Sequence, residues 1–88
     1  MAPQNLDRIL VVDDDQLTAE LYVSILEDLG YRRVDMLTDS REVMAFVDAS
    51  EPTLIVLDLN MPYISGQELL ARLAQEHPEV TTIVITAV

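Results

Sequence analysis

Asp13 with Asp14, then Asp58, then Thr86 each stand at the end of a short apolar run: Ile9-Leu10-Val11-Val12, Leu54-Ile55-Val56-Leu57 and Thr82-Ile83-Val84-Ile85. Carboxylates gathered in one crevice repel strongly at reduced dielectric, and their pKa values rise unless a counter-ion is present. A bound divalent cation removes that cost. With oxygen ligands alone, and no His or Cys nearby, the chemistry points to a hard ion such as Mg2+. Each residue by itself has a plainer reading. Asp13-Asp14-Asp15 reads as a solvated turn and helix start, Asp58 as a strand-ending turn, and Thr86 as an ordinary strand residue. Acids at two strand ends, with a hydroxyl at a third, favour a shared site. Asp15 is read as helix N-terminal charge and no more.

A shared site requires elements that bring those strand ends together. Runs apolar on both faces, such as 9–12, 54–57 and 82–85, read as buried parallel strands. Val34 to Thr38 is a weaker strand whose polar members mark it as an edge or partly exposed strand. Between them, Leu17, Leu21, Ile25, Leu26 and Leu29 form one helical stripe ending at Gly30, the expected C′ glycine. Asp39-Ser40-Arg41-Glu42 reads as a capping box ahead of Val43, Met44, Phe46 and Val47, with Ser50-Glu51-Pro52 as the stop. Leu69, Leu70, Leu73 and Ala74 make a third helix that ends near His77-Pro78, where His77 is a cation by the helix C-terminus. Met36, Met44 and Phe46 are assigned to the core, and Pro62 and Gly66 shape the loop after Asp58. The order β-α-β-α-β-α-β implies an α/β fold with a parallel sheet, whose ligands bind beyond the carboxyl ends of the strands.

Composition excludes several classes. The chain has 88 residues, half of them apolar and 24% charged, with a mean hydropathy of +0.23; that is one small domain with a core. Five basic residues stand against 16 acidic ones, a net charge of −11. Direct binding to nucleic acid phosphates or to anionic membranes is therefore not expected. Cysteine is absent, so there is no disulfide framework and no thiolate site. With no apolar run of about 18 residues and no basic-then-apolar leader, a cytoplasmic protein is the expectation.

Val11-Val12-Asp13-Asp14-Asp15, Leu57-Asp58-Leu59-Asn60-Met61-Pro62 with Gly66, and Ile83-Val84-Ile85-Thr86-Ala87 together resemble the receiver domain of two-component response regulators. The resemblance implies a flavodoxin-like sheet of strand order 2-1-3-4, with the family's fifth strand and last two helices missing. Residues 1–7 would be an N-terminal tail and 8–88 the receiver unit. It further implies that Asp58 is the phosphoacceptor. Asp13 and Asp14 would hold Mg2+, Asp14 more directly and Asp13 largely through water, and Asn60 would offer its backbone carbonyl. Thr86 would be the switch hydroxyl, with Ala87 leaving space beside it. The implied partners are a sensor histidine kinase or phosphotransfer protein, and an output domain or effector outside this chain. Activity would be limited to Mg2+-dependent self-phosphorylation and autodephosphorylation.

The family's lysine on the fifth strand has no counterpart, for the chain contains no lysine. An open edge beside the last strand and a sheet face without its last helix lead us to expect self-association through residues 80–88 and the first helix. Two other classes stay open. One is an Mg2+-dependent phosphatase with an aspartate nucleophile, of the haloacid dehalogenase type; that class usually has an acid where Asn60 stands, and needs a lysine. The other is a receiver-like interaction module that is not phosphorylated.

Overall fold

The computed structural model describes residues 7–86. The expected tail at 1–7, apart from Asp7, and the small residue Ala87 lie outside the described residues. Four strands, β1 (Arg8–Val12), β2 (Arg33–Leu37), β3 (Leu54–Asp58) and β4 (Thr81–Ile85), alternate with helices α1 (Gln16–Asp28), α2 (Val43–Ser50) and α3 (Gly66–Glu76). All three strand pairings are parallel and the sheet order is β2-β1-β3-β4. This is the receiver-type order expected, with β2 at one edge.

Alternate residues of the two central strands feed two cores, as a strand's period of two requires. Leu10, Val12, Ile55 and Leu57 meet Val43 and Val47 of α2 and Leu69 and Leu73 of α3, with Met44 and Phe46 packed against them. On the other face Ile9, Val11 and Val56 meet Ala19 of α1, with Met36 alongside. Burying each of these large side chains contributes roughly 1.5–3 kcal/mol, so β1 and β3 are the anchored middle of the sheet.

Helix α1 is turned differently from the expected stripe. Leu17, Leu21, Ile25 and Leu29 face solvent, Leu17 at 77% exposure. Ala19 is the buried residue, flanked by Tyr22, Val23 and Leu26 against the sheet. Apolar residues occupy two arcs of this helix, and the arc with alanine at its centre is the one that packs closest to the strands. The helix ends as expected. Gly30 takes a φ of 104°, and the Tyr31 and Gly30 N–H groups donate to the carbonyls of Leu26 and Glu27. That pair of bonds satisfies carbonyls the helix leaves open.

Before α2, Asp39 caps a single 3-10 turn, Ser40–Glu42, by accepting from the Arg41 N–H. The reciprocal Glu42 bond of a capping box is not part of this arrangement; a 3-10 turn brings residue i+2, rather than i+3, onto the Asp39 carboxylate. At the end of α3, the His77 N–H donates to the Leu73 carbonyl. Its ring reaches across to α2, with Nε2 2.6 Å from Asp48 Oδ1, while Nδ1 lies 3.4 Å from Glu79 Oε2. Among the described residues β4 is the other sheet edge, and Ile83 and Val84, one on each face, are exposed.

Candidate functional site

Asp13 is the first residue past β1, and its N–H continues the ladder by donating to the Leu37 carbonyl of β2 at 3.2 Å. Its backbone is thereby fixed and its side chain stands at the sheet's carboxyl edge, only 7% exposed. Oδ1 accepts from the Asp15 N–H at 3.0 Å. Asp15 is the N-cap residue of α1, and its carboxylate accepts from the Thr18 hydroxyl, so it is turned into the helix start as the sequence reading held. Asp14, between them, is exposed.

One strand over, Asp58 is the last residue of β3. The next residue, Leu59, donates its N–H to the Ile85 carbonyl of β4 at 3.2 Å, which ties the end of β4 to the end of β3. Asp58 Oδ1 accepts from the Asn60 N–H at 3.1 Å. That bond makes an Asx turn, which directs the chain sharply away from the strand. Asp13, Asp14 and Asp58 each bring a carboxylate oxygen within 4.8 Å of the other two. Burial pushes the Asp13 carboxyl above its ordinary value, and the charges of Asp58, Asp14 and Asp15 push the same way, against the lowering effect of the Asp15 N–H.

These groups line a crevice of about 290 Å³ together with Thr18, Tyr22, Ile85 and Thr86. The structure thus brings together Asp13, Asp14, Asp58 and Thr86. Asn60 lies in the loop adjoining the crevice, joined to it through the bond to Asp58. Thr18 and Tyr22 escaped the sequence reading. Their spacing of four on α1, three residues after Asp15, was the available signal, since it sets both on one helix face.

Gly66 also does more than shape a loop. A Cβ at this first residue of α3 would lie 2.4 Å from Leu59 Cα and 2.6 Å from the Asp58 carbonyl oxygen. The helix start therefore rests directly on the backbone that carries Asp58, and only glycine leaves room. Ser65 supplies the cap, its hydroxyl accepting from the Glu68 N–H.

An all-oxygen cluster of this size suits a hard divalent cation, bound directly or through water. The Asp13 pKa is raised chiefly by burial, with the charges of Asp58, Asp14 and Asp15 adding to it, and a cation among these carboxylates would offset that cost. No helix among the described residues is long and apolar enough to cross a membrane.

Comparison with known proteins agrees with the geometry. The response regulator MprA of Mycolicibacterium vanbaalenii is 35% identical over 80 residues, covering 91% of this chain and 34% of its own length. The transcriptional regulatory protein QseB of Haemophilus influenzae is 34% identical over 80 residues, covering 91% of this chain and 36% of its own. The chain thus spans about a third of the length of these relatives. Among solved structures, the response regulator TrrA of Thermotoga maritima, in complex with Mg(2+)-BeF, superposes with a TM-score of 0.88 at 31% identity, over 94% of this chain and 71% of that one. The family model described as "Response regulator receiver domain" matches residues 9–88. That match opens within β1 and takes in the remaining described strands, the described helices and all of the acidic crevice: the chain belongs to the family of response regulator receiver domains.

Proposed function

We propose that Asp58 accepts a phosphoryl group from the phosphohistidine of a sensor histidine kinase or phosphotransfer protein, with Mg2+ held by Asp13, Asp14, Asp58 and the backbone carbonyl of Asn60. The observation that carries this reading is the convergence of three carboxylates at the carboxyl ends of the two central strands, each with an oxygen within 4.8 Å of the others, beside Thr86. Phosphoryl transfer asks little covalent work of a protein; it asks for in-line positioning and charge neutralisation. When bound, Mg2+ supplies neutralisation of the carboxylates and of the incoming phosphoryl oxygens.

The chain's own groups do the rest. Asn60 holds Asp58 Oδ1, which fixes the carboxylate plane and leaves Oδ2 to attack. An Oδ2–P bond forms as the P–N bond to the donor imidazole breaks, and the imidazole leaves with that electron pair. Asp58 becomes an acyl phosphate, and water later returns it to the carboxylate and inorganic phosphate. Thr86, at the end of β4, supplies the hydroxyl that turns toward the phosphoryl group. Signalling then runs to an output domain or effector outside these residues, within the cytoplasm.

Incubation with Mg2+ and a small phosphodonor, followed by intact mass and peptide mapping, tests the reading. One phosphoryl group on Asp58, absent in Asp58→Asn and without Mg2+, is expected. Catalytic turnover of phosphate esters would move the chain to the phosphatase class. An equal level of modification in Asp58→Asn refutes the assignment.

A further inference from the structure

Ser40 lies in the connection between β2 and α2, yet it is only 2% exposed. Buried hydroxyls need partners, and this one uses both of its capacities. Oγ donates to the Pro62 carbonyl at 2.8 Å and accepts from the Ile64 N–H at 3.0 Å. Both partners belong to the loop that leads from Asp58 to α3, 22 and 24 residues further along the chain.

The loop's two ends are held by their own neighbours. Asn60 bonds back to Asp58, and the Gly66 N–H donates to the Leu59 carbonyl at 3.1 Å. The apex, Pro62 to Ile64, is tied by Ser40. At its centre Tyr63 takes a φ of 70°, a left-handed conformation that a bulky residue adopts only when its surroundings hold it there. Arg41, next to Ser40, covers the Tyr63 ring at 3.8 Å. The same short turn thus grips the apex from inside through a hydroxyl and from outside through a guanidinium.

We propose that Ser40 is a positioning residue for the cation site: it clamps the loop that carries Asn60, and so keeps the Asn60 backbone carbonyl in register with Asp13, Asp14 and Asp58. The inference rests on the Mg2+ reading above and adds to it a residue that contacts none of the three carboxylates. A single atom must donate and accept at once here, which a hydroxyl does and a methyl does not. In Ser40→Ala the Pro62 carbonyl and the Ile64 N–H lose their partner, and unpaired groups of this kind draw a backbone toward water.

The test is a calorimetric Mg2+ titration of the whole chain and three variants. Ser40→Ala should weaken Mg2+ binding about fivefold, short of the ~10–100-fold typical of a direct outer-shell partner. Ser40→Thr, which keeps the hydroxyl, should restore the affinity to within about twofold. Ile9→Val, a core change on the opposite sheet face and at the far end of β1, should lower folding stability and leave Mg2+ affinity alone. Amide exchange at Ile64 should quicken in Ser40→Ala even without Mg2+, which reads the clamp directly. Unchanged affinity in Ser40→Ala, where Asp14→Ala abolishes binding, overturns the Ser40 proposal and spares the cation site. An equal loss in Ile9→Val reduces the effect to general stability and overturns the proposal too. A wild-type chain that binds no Mg2+ overturns both readings together.

Discussion

Replacing Gly66 by alanine sets two effects against each other, and the distances decide between them. In a helix interior the change stabilises by up to ~1 kcal/mol, which at this first helical residue is an upper bound. Here the added Cβ would sit 2.4 Å from Leu59 Cα and 2.6 Å from the Asp58 carbonyl oxygen, against a comfortable carbon–carbon separation of about 3.5–4.0 Å. Both obstacles are backbone, so no rotamer change relieves them; the start of α3 and the end of β3 must separate by about 1 Å. Overpacking of this kind costs about 1–3 kcal/mol, and rigid obstacles put it at the top of that range. Subtracting even the whole of that bound leaves about 2 kcal/mol of destabilisation. For a domain of this size each kcal/mol moves Tm by about 4–8 °C, so Gly66→Ala should melt about 8–16 °C lower. The displaced backbone is that of Asp58, so phosphodonor labelling of Asp58 should slow in the folded variant as well. Circular dichroism melts and mass-resolved labelling read the two effects. A melting point within about 2 °C of wild type, with labelling intact, refutes the argument that this helix start is wedged against the acceptor strand.

Asp13→Asn keeps an oxygen for the Asp15 N–H and removes a charge. The folded pKa of Asp13 is raised from 3.8, so the ionised carboxylate costs stability that is lost as pH climbs from 3.8 through the raised value. At neutral pH in a chelator the variant should melt above wild type, and added Mg2+ should stabilise wild type and not the variant; the reverse order contradicts the account of a buried carboxylate crowded by like charges. His77 has a folded pKa raised from 6.5, chiefly by its hydrogen bond to Asp48. Its contribution is therefore full below pH 6.5 and fades as pH rises through the raised value. Proton NMR should place the His77 pKa above that of Asp48→Asn, and identical titrations in the two proteins would remove the Asp48 contact from the account. The 88-residue chain should sediment as a dimer or higher species at micromolar concentration, through the exposed Ile83 on β4 and the leucines of α1. Ile83→Lys should shift it to monomer, and a monomeric wild type rejects the proposal.

The parallel sheet and four of the crevice residues, Asp13, Asp14, Asp58 and Thr86, could be read because short apolar strands announce their ends, while the strand order came with the family resemblance. Ile9–Val12 and Leu54–Leu57 are apolar on both faces, and the polar residue that ends each run is the one left at the sheet's carboxyl edge. The facing of α1 could not be read the same way. Leu17, Leu21 and Ile25 make a regular stripe, but Ala19, Tyr22, Val23 and Leu26 make another. Periodicity gives an angle between residues, not the angle to the sheet. Gly66 and Ser40 are legible only in three dimensions. One owes its identity to a backbone that approaches from seven residues earlier, and the other to a loop more than 20 residues away.

β4 carries Thr86 into the crevice, yet among the described residues it is, like β2, an edge strand, and its middle residues Ile83 and Val84 are exposed. Strands of this kind open locally before the rest of a domain unfolds. Each opening breaks the Leu59 bond to the Ile85 carbonyl and withdraws the hydroxyl, while Asp13 and Asp58 stay mounted on the anchored strands. The acidic half of the crevice and its hydroxyl half therefore have different lifetimes. The ratio between them is set by the opening free energy of one strand, with each 1.4 kcal/mol worth a factor of ten. Whatever pairs with the outer edge of β4 lengthens the time the crevice spends complete, without touching any residue in it.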